Sequence, residues 1–312
     1  MRPRLVLALV AVTATLALAG CAHPAGSISM NPVDDAGLAD EASRDVPDAE
    51  SSRQRADRRL VVGAIENGSA TANDTSPPVE GGLPFAYEGR YYNVTHTVTG
   101  EGTGYQVGIE IDYNATDFEG AAVDYGELPQ PDRDAVGPLL AGPREGRQPG
   151  YDIGIGATYT ADEYEASTLA SGEYDAIRYE GETYPIRVHG AREVTISTYR
   201  YEASVVAGSA SEYAADLRDR YAFTLSGLSD AERSIVEEAA GGSYYPESTD
   251  DTAFENVVDR FREHDPVHRP SGSGSGAWLV RHDGQLYWAQ LDYYMFVEDT
   301  DDAVASPGVT PH

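Results

Sequence analysis

The sequence predicts an α+β fold: antiparallel sheets with packed helices, in about three related helix-then-hairpin units. Three observations predict it. Apolar residues recur with helical period over residues 231–240 and 253–263. Other stretches alternate apolar and polar residues, as half-buried strands do. And one pattern (aromatic or His, acid, Gly, two residues, Tyr) occurs three times, each time after a predicted helix.

The helix that opens each unit ends in small residues. Its copies read RRLVVGAIENGS from Arg58, DRDAVGPLLAG from Asp132 and ERSIVEEAAGGS from Glu232. The hairpins run Tyr87-Glu88-Gly89 to Tyr92, Tyr179-Glu180-Gly181 to Tyr184, and His282-Asp283-Gly284 to Tyr287. An acid-Gly pair between alternating residues predicts a tight turn, because Gly accepts positive φ. The interval from Arg59 to Gly89 is shorter than those from Arg133 to Gly181 and from Arg233 to Gly284. The longer units are therefore expected to insert an extra helix, starting near Thr160 and near Asp250. Ser229 with Glu232, Ser209 with Glu212 and Thr160 with Glu163 have capping-box spacing. Phe254, Val257, Val258 and Phe261 fall on one helix face. Tyr105, Val107, Ile109 and Ile111 share one strand face, as do Val194, Ile196 and Thr198. The Ser/Gly tract 271–276 reads as a flexible loop. In the pairs Tyr91-Tyr92, Tyr244-Tyr245 and Tyr293-Tyr294, one ring is expected to pack and the other to be exposed.

The chain begins with Arg2 and Arg4, an apolar or small run from Leu5 to Leu18, and then Ala19-Gly20-Cys21. This reads as a secretion signal ending in a lipobox. The run is shorter than the roughly 20 residues that span a bilayer. Cys21, the one cysteine of the chain, would carry the lipid, so no disulfide is expected. The predicted boundaries are a signal at 1–21, a disordered acidic tether at 22–45, units at 46–126, 127–227 and 228–297, and a disordered tail at 298–312. The expected location is the outer face of the cell membrane, through membrane lipid on Cys21.

The formal net charge is −30, from 52 acidic and 22 basic residues, and every basic residue is Arg. Like charges at that density repel in dilute buffer and are screened in molar salt, where the Debye length is about 3 Å. Acid enrichment without Lys therefore predicts a halophilic, archaeal protein. It excludes nucleic acid as a partner, since phosphate binding needs a basic face.

Four of the mature chain's six Asn stand in Asn-x-Ser/Thr: Asn67, Asn73, Asn93 and Asn114. They are candidate N-glycosylation sites, and a glycan partner or decoration needs them exposed. His264 and His268 have helical metal-ligand spacing, but Pro266 interrupts the helix and no third ligand stands nearby. Asp250-Asp251 and Asp299, Asp301 and Asp302 lack the ligand positions of a calcium loop. There is no Gly-x-Ser-x-Gly and no phosphate-binding glycine loop. No metal, cofactor or catalytic residue is expected, and the chain is read as a non-enzyme.

Tyr-Glu-Gly-Glu-Thr-Tyr-Pro at 179–185, the run from Tyr221 to Arg233 and Gly-Arg-Tyr-Tyr-Asn-Val at 89–94 carry a resemblance. Over roughly residues 55–297 the chain resembles haloarchaeal lipoproteins with an uncharacterised repeat domain. The resemblance implies a cell-surface location and no known activity. Helix-then-hairpin order is also loosely similar to PepSY and cystatin-like modules, an analogy of element order. The expectation is an exported, lipid-anchored binding or structural module with an envelope protein or glycan as partner. The alternatives are a solute-binding lipoprotein of a transporter, or a PepSY/cystatin-like inhibitor or chaperone module.

Overall fold

The computed structural model describes residues 25–113, 118–140, 152–270 and 274–296. Cys21, Asn114, the aspartates beyond 298 and residues 271–273 of the Ser/Gly tract lie outside the described residues. The chain is α+β, and it forms two compact units, one of residues 34–219 and one built from both ends of the chain.

Strand β1 (Ser27–Pro32) opens the terminal unit. The chain then builds the middle unit: α1 (Asp35–Glu41), β2 (Arg44–Asp45), α2 (Ser52–Asn67), β3 (Ala70–Asp74), β4 (Phe85–Tyr87) and β5 (Arg90–Asp112). It continues with β6 (Ala122–Asp124), α3 (Gln130–Leu140), β7 (Asp152–Thr160), α4 (Ala161–Ala166), β8 (Ala176–Tyr179), β9 (Glu182–Val188), β10 (Arg192–Ala207) and α5 (Ala210–Tyr221). It returns to the terminal unit with β11 (Phe223–Thr224), α6 (Asp230–Gly241), β12 (Ser243–Tyr244), α7 (Thr252–Arg262), β13 (Ser275–His282) and β14 (Gln285–Asp292).

The expected disordered tether at 22–45 is corrected from Ser27 onward. Ser-Ile-Ser-Met alternates, and Ile28 and Met30 are fully buried while β1 pairs with both β14 and β12. Asp34 then caps α1 by accepting from the Gly37 amide, and Leu38 and Ala39 are buried. Few apolar residues order this stretch, so its composition resembles a linker.

Three copies of one arrangement repeat. A two- or three-residue strand pairs in parallel with the first strand of a hairpin further along: β2 with β4, β6 with β8, β11 with β13. Between them stands a helix: α2, α3 or α6. The three hairpin turns match closely. Glu88, Glu180 and Asp283 have φ of 50°, 49° and 48°, and Gly89, Gly181 and Gly284 have 75°, 82° and 80°. Two successive positive φ values define the type I′ turn, whose twist suits antiparallel strands. The predicted extra helices are α4, capped by Thr160 with Glu163 in a full capping box, and α7, capped by Asp251.

The repeats do not fold as three separate domains with the predicted boundaries. The first two share a nine-stranded sheet because β5 is 23 residues long. Along one edge it pairs with β10 and then β9; along the other, with β4 and then β7. Each repeat lends a strand to the other: β3 of the first pairs with β10, and β7 of the second pairs with β5. A pseudo-twofold axis follows. Thr103, fourteen residues after Gly89, pairs with Thr195, fourteen residues after Gly181. The third repeat has no such partner in its unit, and β1 takes the partner's place beside β14 and β12.

The middle unit has two cores. Leu60, Val61, Ala64 and Phe85 pack with Tyr199 and Tyr201 in the first repeat, and Val107, Ile109, Ile111, Val136 and Leu140 pack in the second. In the terminal unit Phe254, Val257, Val258 and Phe261 are at most 1% exposed and pack with Trp278. Burying each such side chain contributes about 1.5–3 kcal/mol. Tyr244-Tyr245 and Tyr293-Tyr294 split as expected, with Tyr245 and Tyr294 exposed. Tyr91 and Tyr92 are both buried, against expectation, because Tyr213 of α5 stacks on Tyr91 at 4.6 Å.

Candidate binding groove

The helices of the three repeats carry one acid in one place. Leu60, Val61 and Ala64 of α2 are buried as Ile235, Val236 and Ala239 of α6 are, at one constant offset. That offset aligns Asp57-Arg58 with Glu232-Arg233, and Asp132-Arg133 stands in the same relation to Val136. The sequence repeat had set Arg58 against Glu232; the buried faces move that alignment by one residue. The arginines share a job. Their guanidiniums donate to backbone carbonyls of the loop before the helix: Arg58 to Pro47 at 3.2 Å, Arg133 to Leu128 at 2.5 Å, Arg233 to Leu228 at 3.4 Å.

The acids differ in what meets them. Asp132 is fully buried; it accepts from Ser167 Oγ at 2.6 Å and from the amides of Thr168 and Leu169 at 2.9 and 3.1 Å. Those donors lie in the segment that follows α4. Glu232 accepts from its capping partner, the Ser229 amide, at 2.6 Å and from Arg260 of α7 at 3.2 and 3.3 Å. The Ser229 amide and then Arg260 hold its carboxyl below the ordinary range, against the opposing effect of burial. In two repeats, then, the inserted helix or the segment after it supplies the donors.

The first repeat has no inserted helix. Asp57 is half-buried and makes no hydrogen bond among the described residues. Burial pushes its carboxyl above the usual carboxylate range; Arg53 opposes this and Asp74 adds to it. The space beside it is a groove of about 590 Å³ between α2 and β3. Ala56, Asp57 and Leu60 line one wall, Ala70, Ala72 and Asp74 the other, and Arg53 and Arg59 stand at the rim. Among the described residues β3 pairs only with β10, so its other edge keeps unpaired backbone groups. At two equivalent positions its side chains are smaller than those of β7: Ala70 stands where β7 has Ile155, and Asp74 where it has Tyr159. Asp74 pairs with Ser197 as Tyr159 pairs with Tyr105, each partner sixteen residues past its hairpin glycine. Tyr159 is fully buried and Asp74 is not. Helix and strand meet at Gly63, where an added Cβ would lie 3.3 Å from that of Ala70.

A second cleft, of about 610 Å³, lies between α2 and α3. Arg55, Arg59 and Arg133 line it, with Asp134 as the one acid among the described residues. Arg59 makes no hydrogen bond or ion pair among the described residues and reaches both spaces.

Three of the sequons, Asn67, Asn73 and Asn93, lie in the middle unit. Asn67, at the end of α2, and Asn73, on β3, are exposed. Asn73 Oδ1 accepts from Thr198 Oγ1 at 2.8 Å and borders the groove. Asn93 is only half-exposed, between buried Tyr92 and Val94 on β5, so the expected solvent-facing position is reached in part. His264 stacks on Phe223 at 3.9 Å, and His268 bridges to Ala277 through its backbone. Among the described residues no three metal-ligating side chains cluster. Asp251 is engaged by the Phe254 amide and by the Tyr244 hydroxyl at 2.5 Å.

The groove was not legible as a motif. The signal that could have found it is the acid-Arg-x-x-Val spacing, common to Asp57, Asp132 and Glu232, combined with the missing helix in the first unit. No protein family, curated protein or solved structure matches this chain.

Proposed function

We propose that the chain is an exported, lipid-anchored binding module of a halophile's cell surface, without catalytic activity. The observation that carries the binding part is the open groove between α2 and β3, which among the described residues holds a half-buried carboxylate with no hydrogen bond and a strand edge with no partner. The anchoring part rests on the lipobox at Cys21. The ordered β1 sharpens it. Only five residues, 22–26, separate Cys21 from Ser27, and five residues reach at most about 18 Å. The terminal unit is therefore held close to the headgroups instead of on a long tether.

Cell fractionation tests the anchor. The wild type stays with membranes, is labelled by a lipid precursor and is cut by protease added to intact cells; Cys21→Ser passes to the medium. An unlabelled wild type, or a variant that stays on the membrane, contradicts it. Hydrolysis of peptides, esters or glycans that is lost on mutating the chain's own residues would contradict the non-catalytic reading. A small anionic solute is the second reading, favoured by the three arginines of the α2–α3 cleft in so acidic a chain.

A further inference from the structure

The third repeat shows how a groove of this kind is filled. There α7 lies along α6. Its N-terminal Asp251 is bonded to Tyr244 of the edge strand β12, and Phe254 stacks on the Tyr244 ring at 5.9 Å. Its C-terminal Arg260 reaches Glu232 in the first turn of α6, donating from Nε and Nη2 to the two carboxylate oxygens. The first repeat has the same helix, the same edge strand and the same acid, Asp57, but its β3–β4 connection is a loop, residues 75–84, which buries Val79 in the core and lines the groove with Ser76 and Pro78 instead of laying a helix along it.

We propose that the α2–β3 groove is the docking site for a helical segment of a partner protein that presents an arginine to Asp57, in the place that α7 takes on α6. This rests on the binding-module reading and names the partner's chemistry. Charge complementarity argues for it. Asp57 is half-buried without a hydrogen bond among the described residues, and Asp74 lines the same groove with one oxygen, Oδ1, taken by the Thr75 amide, so an incoming guanidinium finds the Asp57 carboxylate and the second oxygen of Asp74. Small side chains at Ala56, Ala70 and Ala72 leave room for a partner's apolar face, as in helix-in-groove recognition. The Arg53 and Arg59 guanidiniums at the rim would meet acids on the outer face of that helix.

The chain itself supplies the probe: a fluorescent peptide of residues 250–264, which spans α7. Anisotropy titration against the full chain in molar salt is expected to show saturable binding. Asp57→Asn is expected to weaken it at least about tenfold, because a charge-assisted hydrogen bond is lost. Arg260→Gln in the peptide should cost a similar factor, and the two changes together little more than either alone. Ala72→Trp, which fills the groove, should abolish binding while the melting temperature stays near that of the wild type. Absence of binding overturns the proposal. So does binding that ignores Asp57→Asn, and so does binding that is weakened by Glu232→Gln in the protein instead, which marks exchange with α7 in its own unit. The titration does not depend on Cys21, so it fails separately from the anchoring experiment.

Discussion

Replacing the same acid in two repeats should have opposite consequences. In the second repeat Asp132→Ala removes the acceptor for the Ser167 hydroxyl and for the amides of Thr168 and Leu169. Ser167 Oγ already accepts from the Ala170 amide and its hydroxyl can turn elsewhere, but the two backbone amides are fixed. Each stranded buried donor costs about 1–3 kcal/mol, and a small cavity adds to this. The expected loss is about 3–5 kcal/mol, on the order of 10 °C for a unit of this size. In the first repeat Asp57→Ala strands no donor. It removes a carboxylate that burial makes costly in its charged form, so stability at neutral pH should change by no more than about 0.5 kcal/mol, and upward. The sign follows from linkage. A carboxyl whose folded value is raised weakens the fold when ionised, and that cost disappears as pH falls through the folded value. Thermal melts of both variants at fixed molar salt, with hydrogen exchange at Thr168 and Leu169, measure the difference. Equal destabilisation by the two substitutions, or a loss below about 1 kcal/mol for Asp132→Ala, would show that the two acids do not differ in this way.

Other outcomes follow from the same structure. Gly104→Val should destabilise the middle unit by about 1–3 kcal/mol in denaturant titration, because even a Cβ there would clash with the Ile196 side chain and lie 2.7 Å from the Tyr159 carbonyl. Glu232 is lowered by its partners, so its contribution to the terminal unit is present above the ordinary carboxylate value and is lost as pH falls through the lowered one. Glu232→Gln should flatten that part of the acid melting curve, and an unchanged curve would count against the Ser229 and Arg260 contacts. Mass spectrometry of the exported protein should find Asn67 and Asn73 modified more fully than Asn93. A glycan on Asn73 should weaken binding of the α7 peptide, so Asn73→Gln expressed in the native host should bind at least as well as the wild type.

Much of the fold could be read from side-chain pattern, and the remainder depends on long-range pairing. The acid-Gly turns at Glu88, Glu180 and Asp283 were visible because only a few residue types tolerate two positive φ values in succession. The α7 face of Phe254, Val257, Val258 and Phe261 was visible through its period. The strand exchange between the first two repeats was not, since alternation along β5 says which face is buried and nothing about which strand lies beside it. Strand β1 was missed for a related reason: two buried residues, Ile28 and Met30, suffice when strands wait on both sides. The groove was harder still. It is made by what the first repeat lacks, an inserted helix and a large residue at Asp74, and an absence has no motif.

Docking in the α2–β3 groove is tested most directly by chemical-shift mapping of the labelled full chain titrated with the peptide of residues 250–264. Shifts are expected on α2 from Arg53 to Leu60 and on β3 from Ala70 to Asp74, and they are expected to vanish in Asp57→Asn. Shifts confined to α6 and β12, or spread over the surface without dependence on Asp57, would contradict docking there.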